Sequence, residues 1–260
     1  MKQLLIFSFI LLIVLLFGCK VEVDDSEQTT TGMVRELTIE PEADKLLKQM
    51  SDNLISANEF TVQVESSSDF TNDTGEILKL HRSLAINLKR PDKIMVNTQG
   101  DNGFKQLFYN GTEAVLYHLN YGMYSIVKAP GTVDETLDML AEDYDFQIPA
   151  SDIAYSDPYS YLMEEVKGAK YYGESSINGV TCHHLYFTQD EIDWQIWIDS
   201  DKNIPRKFLI NFKDEEGSPQ FTAYFYDWNF SPSLSDDIFS FNPPEGTKKI
   251  EFLKVEKNSN

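Results

Sequence analysis

From Glu59 onward, apolar and polar positions alternate with a period of two. Phe60, Val62 and Val64 share one side, which predicts a strand. A Ser-, Asp- and Asn-rich stretch around Ser66 to Gly75 then reads as a turn. Five further strand-like runs follow: Ile77 to Leu88, Lys93 to Thr98, Phe104 to Tyr109, Ala114 to Leu119 and Met123 to Val127. Turn signals separate them: Arg90-Pro91-Asp92, Gly100-Asp101-Asn102-Gly103, Asn110-Gly111 and Asn120-Tyr121-Gly122. Six short strands at such spacing predict an antiparallel meander.

Three stretches have a helical period instead. Ahead of the strands, Pro41-Glu42-Ala43-Asp44 opens a segment in which Leu46, Leu47, Met50, Leu54 and Ile55 recur on one stripe. After the sixth strand, Thr132 to Phe146 carries Val133, Leu137, Leu140 and Tyr144 at spacings of three and four. A further segment from Asp157-Pro158 to Val166 places Tyr161, Leu162 and Val166 on one side. No linker-like composition surrounds these last two helices, so they read as an insertion between two halves of one sheet. The strand pattern then resumes over Ala169 to Ile177, Val180 to Phe187, Ile192 to Asp199, Pro205 to Phe212 and Gln220 to Trp228. Asn178-Gly179 is a strong two-residue hairpin signal. Asp236 to Gly246 closes the chain as a compact turn.

Several strands are apolar on both faces. Trp194 and Trp197 fall on opposite sides of one strand. In another, Phe221, Ala223 and Phe225 oppose Tyr224, Tyr226 and Trp228. A sheet that needs cover on both sides, with few helices available, predicts a mainly β (α+β) fold. Its form is an open antiparallel half-barrel of about eleven strands with helices covering the concave face.

The first residues predict a compartment. Leu4 to Phe17 is a run of roughly 14 almost wholly apolar residues, the length of a secretory leader and short of the ~20 that span a bilayer. It ends in Leu16-Phe17-Gly18-Cys19, the pattern of a lipobox, which predicts cleavage after residue 18 and lipidation of Cys19. Two or more acyl chains on that residue would hold the protein stably at a membrane. Residues 19–38 are polar and acidic and read as a tether, leaving 39–255 as a single folded domain. Lys20 occupies the position where Asp would mark inner-membrane retention. The expectation is therefore a periplasm-facing anchor, outer membrane before inner.

Charge and cysteine content narrow the classes. With 42 acidic and 22 basic residues the formal net charge is −20, which disfavours nucleic acid and anionic headgroups as partners of the exposed surface. The chain has 2 cysteines, and if Cys19 carries lipid, Cys182 has no intramolecular partner and reads as a small buried hydrophobe. His183-His184 beside it, with Glu191 or Asp193 near, raises a metal site. Adjacent strand residues point to opposite faces, however, so the pair predicts no metal ligation. No nucleophile elbow, zincin helix or phosphate-cradling loop is present, and the paired acids sit in tether, helix or turn positions. The expectation is no catalytic residue, no metal and no cofactor. The 17 Phe, 13 Tyr and 3 Trp serve equally a generous core or an apolar cavity.

Three segments carry a resemblance. Tyr172-Gly173-Glu174 through Asn178-Gly179-Val180-Thr181-Cys182-His183-His184-Leu185 is one. Asp193 to Ile198 leading to Ile204-Pro205-Arg206-Lys207 is the second, and Phe239-Ser240-Phe241-Asn242-Pro243-Pro244-Glu245-Gly246 is the third. Together they resemble the bacterial family called domain of unknown function 2092 over roughly residues 40 to 250. That family is similar in architecture to the lipoprotein-localisation carrier and receptor proteins, whose half-barrel holds acyl chains. The resemblance implies a hydrophobic small molecule or acyl chain, a lipoprotein's among the options, as partner. No protruding apolar loop like the receptor's is evident. Candidate cavity residues are Leu137, Leu140, Tyr161 and Leu162 on the inserted helices, with Trp194 opposite. The alternatives are an envelope interaction or sensor domain with a filled core, and, further behind, a hydrolase.

Overall fold

The computed structural model describes residues 37–255 apart from Asp73 and Gln147. Cys19, the leader and the tether up to residue 36 lie outside the described residues. The chain opens with α1 (Pro41–Ile55), followed by β1 (Glu59–Thr71), β2 (Ile77–Lys89), β3 (Lys93–Gly100), β4 (Gly103–Tyr109), β5 (Glu113–His118) and β6 (Met123–Lys128). The insertion holds α2 (Val133–Tyr144), a 3₁₀ turn over Ser151–Ala154 and α3 (Pro158–Met163). Then come β7 (Gly168–Ile177), β8 (Val180–Thr188), β9 (Ile192–Asp199), β10 (Pro205–Phe212), β11 (Gln220–Asn229) and β12 (Lys248–Lys249).

The twelve strands form one open sheet in the order β12-β6-β5-β4-β3-β2-β1-β11-β10-β9-β8-β7. Every neighbouring pair is antiparallel except β12 with β6. The two meanders meet where β1 pairs with β11. The insertion therefore carries the chain from one end of the sheet to the other, which is why it crosses a face. The two ends of the sheet are blunted. The two-residue β12 lies along β6, with Lys248 and Ile250 donating backbone N–H groups to Gly122 and Tyr124, and along β7 Glu40 donates to Ala169, which donates to Thr38. An edge strand this short offers little template for intermolecular pairing.

Alternation sets the core. Phe60, Val62 and Val64 of β1 stand beside Leu88, Ile86 and Leu84 of β2, and this row continues through Ile94 and Val96 of β3. On the other side run Phe225, Phe208, Ile196 and Leu185, all buried. The buried stripes of α1 (Leu46, Leu47, Met50, Leu54) and α2 (Val133, Leu137, Leu140) belong to the same cluster. The opposite face has its own cover. Phe241 packs its ring on Phe108, Tyr117 and Tyr124 at 5.1–5.4 Å, and Phe239 is completely buried over β3.

Several boundaries differ from expectation. The stretch Ser66 to Thr71 is strand, not turn, because it is paired on one side with β2 throughout and on the other, up to Ser68, with β11; tertiary pairing overrides serine's turn preference. The hairpin so lengthened ends in exposed Phe70, Ile77 and Leu78, an apolar tip that the polar residues between them conceal in the sequence. The third helix stops at Met163 because Glu165 adopts a left-handed backbone (φ 61°), so Val166 lies beyond it. Ile55 ends α1 exposed. Trp228 does not join Tyr224 and Tyr226. Asp227 is left-handed (φ 51°), the alternation slips, and Trp228 packs on Phe60 and Phe225 instead. Beyond the closing turn at Asp236 to Gly246 the chain adds β12 and sets Phe252 against Tyr144 of α2 at 4.5 Å. Asn178 and Gly179 both have positive φ (50° and 82°), the type I′ geometry of the β7–β8 hairpin.

Candidate ligand cavity

The insertion is fastened at both ends before it crosses the sheet. Thr132 caps α2 by accepting the Glu135 N–H, and its hydroxyl donates to the Glu135 carboxylate. Arg90, between β2 and β3, donates to the Ala154 carbonyl at 2.8 Å. At the far end, the Tyr159 N–H donates to Ser51 Oγ at 3.0 Å and its hydroxyl to Asp44 Oδ1, tying α3 to α1. That last bond holds the Tyr159 hydroxyl to its proton, raising its pKa to about 12.

Between these fastenings the segment 144–165 stands off the concave face and leaves three adjoining cavities. The central one, about 370 Å³, has Leu137, Ala141, Phe146 and Ile148 above and Ile210 and Phe221 below. A second, about 440 Å³, lies among Tyr161, Leu162, Ile192, Trp194, Phe208 and Ile210. A third, about 170 Å³, reaches over β2 to β5 among Arg82, Val96, Leu107, Leu116 and Ile148. The first and third share Arg82, Phe146, Ile148 and Pro149. The first and second share Asp152, Tyr161 and Ile210, so the three form one row along the sheet. The two larger ones lie at the lower end of the ~300–1,000 Å³ typical of small-molecule sites.

Charged groups stand along this row: Arg82, Lys105 and Asp145 at one end, Asp152 in the middle, and Glu164 and Glu165 at the other. Asp152 is half-buried and lines both larger cavities; desolvation by the surrounding walls raises its pKa. Tyr155 stacks on Tyr161 with ring centres 4.0 Å apart and donates to Asp138 Oδ1 at 2.8 Å. Burial foremost, then that acceptor, holds the Tyr155 hydroxyl protonated.

Of the candidate residues, Leu137 and Tyr161 line the central cavity, and Tyr161, Leu162 and Trp194 line the second. Trp194 is nearly inaccessible and stacks on Phe187 with centres 3.8 Å apart. Leu140 is completely buried in the core between α2 and the sheet. Sequence reasoning passes over Arg82, Phe146, Ile148, Asp152 and Tyr155. The segment from Asp145 to Tyr155 has no period to read. Arg82 is accessible to it, since the inward series Leu88, Ile86, Leu84 extended one step further lands on it. His183 and His184 take separate partners on opposite faces, Tyr171 at 3.0 Å and Gln195 at 2.8 Å, and Cys182 is buried with its thiol pKa raised by burial.

The profile of a family described as predicted periplasmic protein (DUF2092) matches residues 43–253. The chain belongs to that family. The match takes in all three helices, all twelve strands except the start of α1, and every residue of the cavity row. No curated protein matches this family member significantly. Among solved structures it is similar to an uncharacterised conserved protein from Thermus thermophilus (12% identity, 81% of this chain and 99% of the other, TM-score 0.48). It is likewise similar to the Mycobacterium tuberculosis lipoprotein LppX (12% identity, 75% and 98%, TM-score 0.48). A Vibrio parahaemolyticus domain described as an outer membrane lipoprotein-sorting protein follows at 12% identity, 76% and 97%, with TM-score 0.34. Likeness at this level carries no residue roles across.

Proposed function

We propose that this family member is a periplasmic lipoprotein that holds a hydrophobic ligand, a lipid or acyl chain, in the cavity row and performs no chemistry on it. The observation that carries the reading is the row itself. Three adjoining cavities separate the concave face from a tethered insertion, with Leu137, Phe146, Ile148, Trp194, Ile210 and Phe221 supplying apolar wall along the row and charged groups standing at its ends. A family description of periplasmic residence supports the compartment. The leader pattern ending at Cys19, followed by Lys20, supports a lipid anchor at the outer membrane.

Two experiments test the two halves. In the first, the chain from residue 19 carrying Cys19→Ser, which keeps every described residue, is titrated with N-phenyl-1-naphthylamine, a neutral apolar probe. Saturable binding is expected, weakened about tenfold or more by Ala141→Trp, whose indole occupies the central cavity, a loss of about 1.4 kcal/mol. Unchanged circular dichroism of the variant shows that the fold is intact. Failure of the unsubstituted protein to bind any probe contradicts the reading. In the second, cells expressing the full chain are fed a palmitate analogue. Label on the protein is expected, with Cys19→Ser losing both label and membrane sedimentation; a label that persists in that variant contradicts the anchor.

A further inference from the structure

Arg82 and Lys105 point from the sheet into the 170 Å³ cavity at the end of the row. Both occupy inward positions. Arg82 continues the series of Leu84 and Ile86 on β2, and Lys105 pairs across β4 with Thr98 of β3, which lines the same cavity. Gly100, the cross-strand partner of Arg82, is set by close backbone approach: a Cβ there would stand 2.2 Å from the His81 carbonyl and 2.9 Å from Arg82 Cα.

Neither cation makes an ion pair or a side-chain hydrogen bond among the described residues. By contrast, Lys45, Lys48, Lys79, Lys89, Lys93 and Arg206 find carboxylates. Four carboxylates do share the row, Glu164 and Glu165 at its far end and two nearer the cations. Asp145 lines the same cavity and Asp152 the adjoining ones, yet neither comes within 4.0 Å of either cation. Desolvation favours the neutral form of Asp152, which further weakens it as a counter-charge. Two half-buried cations lining one cavity without a partner are placed to receive an anion from a ligand.

We infer that the ligand is an anionic amphiphile, its carboxylate or phosphate seated on Arg82 and Lys105 and its chain running past Ile148 and Phe146 toward Ile210 and Trp194. The inference rests on the cavity reading above and adds the class of ligand. A guanidinium meets either oxyanion with two parallel N–H donors, and the ammonium adds a compact second charge.

The test uses the chain from residue 19 with Cys19→Ser, loaded with N-phenyl-1-naphthylamine. Displacement is measured with dodecanoate, dodecyl phosphate and dodecanol below their micellar concentrations, and with inorganic phosphate. The two anions are expected to displace the probe at about tenfold lower concentration than dodecanol, since a hydrogen bond to a charged group is worth about that much. Arg82→Gln should erase the preference for the anions over dodecanol, and Lys105→Gln should reduce it. Inorganic phosphate should leave the probe in place; displacement by it at the anions' concentration overturns the amphiphile assignment. Equal displacement by dodecanol and the anions, or a preference that survives Arg82→Gln, overturns the headgroup assignment while the cavity reading stands. Displacement by none of the chains overturns both.

Discussion

Asp199 ends β9 in nearly complete burial, with Arg206 Nη2 and Nε at 2.7 and 3.0 Å from Oδ2 and the N–H groups of Asp201 and Lys202 on Oδ1. Burial alone pushes its pKa up. The guanidinium and the two backbone donors outweigh that, and the net shift is downward. A depressed native pKa means that the carboxylate contributes stability in full above the unfolded value, about 3.9, and loses it as pH falls through the native one. Asp199→Ala should cost about 3 kcal/mol at pH 7, because it leaves Arg206 buried and unpaired. Urea unfolding at pH 7 and again below pH 3 checks this, the difference between variant and parent shrinking at the lower pH. Asp152 has the opposite sign. Its native pKa is raised, so ionisation above that pKa works against folding, and Asp152→Asn should be stabilising at pH 7 with the gain vanishing below about pH 4. At this scale the sequence is legible where alternation is unbroken. Trp194 and Trp197 do face opposite ways, one on Phe187 in the core and one on His184 outside. Trp228 is illegible because a single left-handed residue, Asp227, resets the alternation.

Elements show the same division. The α2 start is written locally: the Thr132 hydroxyl accepts the Glu135 N–H and donates to the Glu135 carboxylate, ahead of the Val133, Leu137, Leu140 stripe. Thr132→Ala should therefore cost about 1 kcal/mol by urea unfolding. Because the insertion covers the cavity row, the same variant should also release the bound probe faster in stopped-flow measurements; an unchanged rate would separate α2's cap from the cover. The β1–β2 hairpin is not written locally. Ser66, Ser67 and Ser68 are turn formers on their own and become strand because β2 takes one side and β11 the other. No window of neighbouring residues contains that information, since the partner Thr222 stands more than one hundred and fifty residues away. The short α3 and the 3₁₀ turn over Ser151–Ala154 are likewise held by remote contacts, Tyr159 to α1 and Ala154 to Arg90.

For the whole molecule, eleven of the twelve strands and the place of the insertion follow from periodicity, whereas the two-residue β12 is too short to show a period. The join of β1 to β11, which makes one sheet from two meanders, is a long-range fact. That join brings Arg82 and Phe221 to the walls of one cavity, so the site depends on the part of the fold that is least visible in the sequence. The surplus of acids, 42 against 22, lies over a fold whose inward cations at Arg82 and Lys105 are unpaired, a contrast between outside and inside that composition hides. Occupation of the row by lipid in the cell is what the proposed function turns on. Its most direct measurement is mass spectrometry of an organic extract of the chain from residue 19 with Cys19→Ser, exported to and purified from a bacterial periplasm. One equivalent or so of an anionic acyl lipid, reduced in Ala141→Trp, is the result the cavity predicts; a protein that yields no lipid and takes up no apolar probe contradicts it.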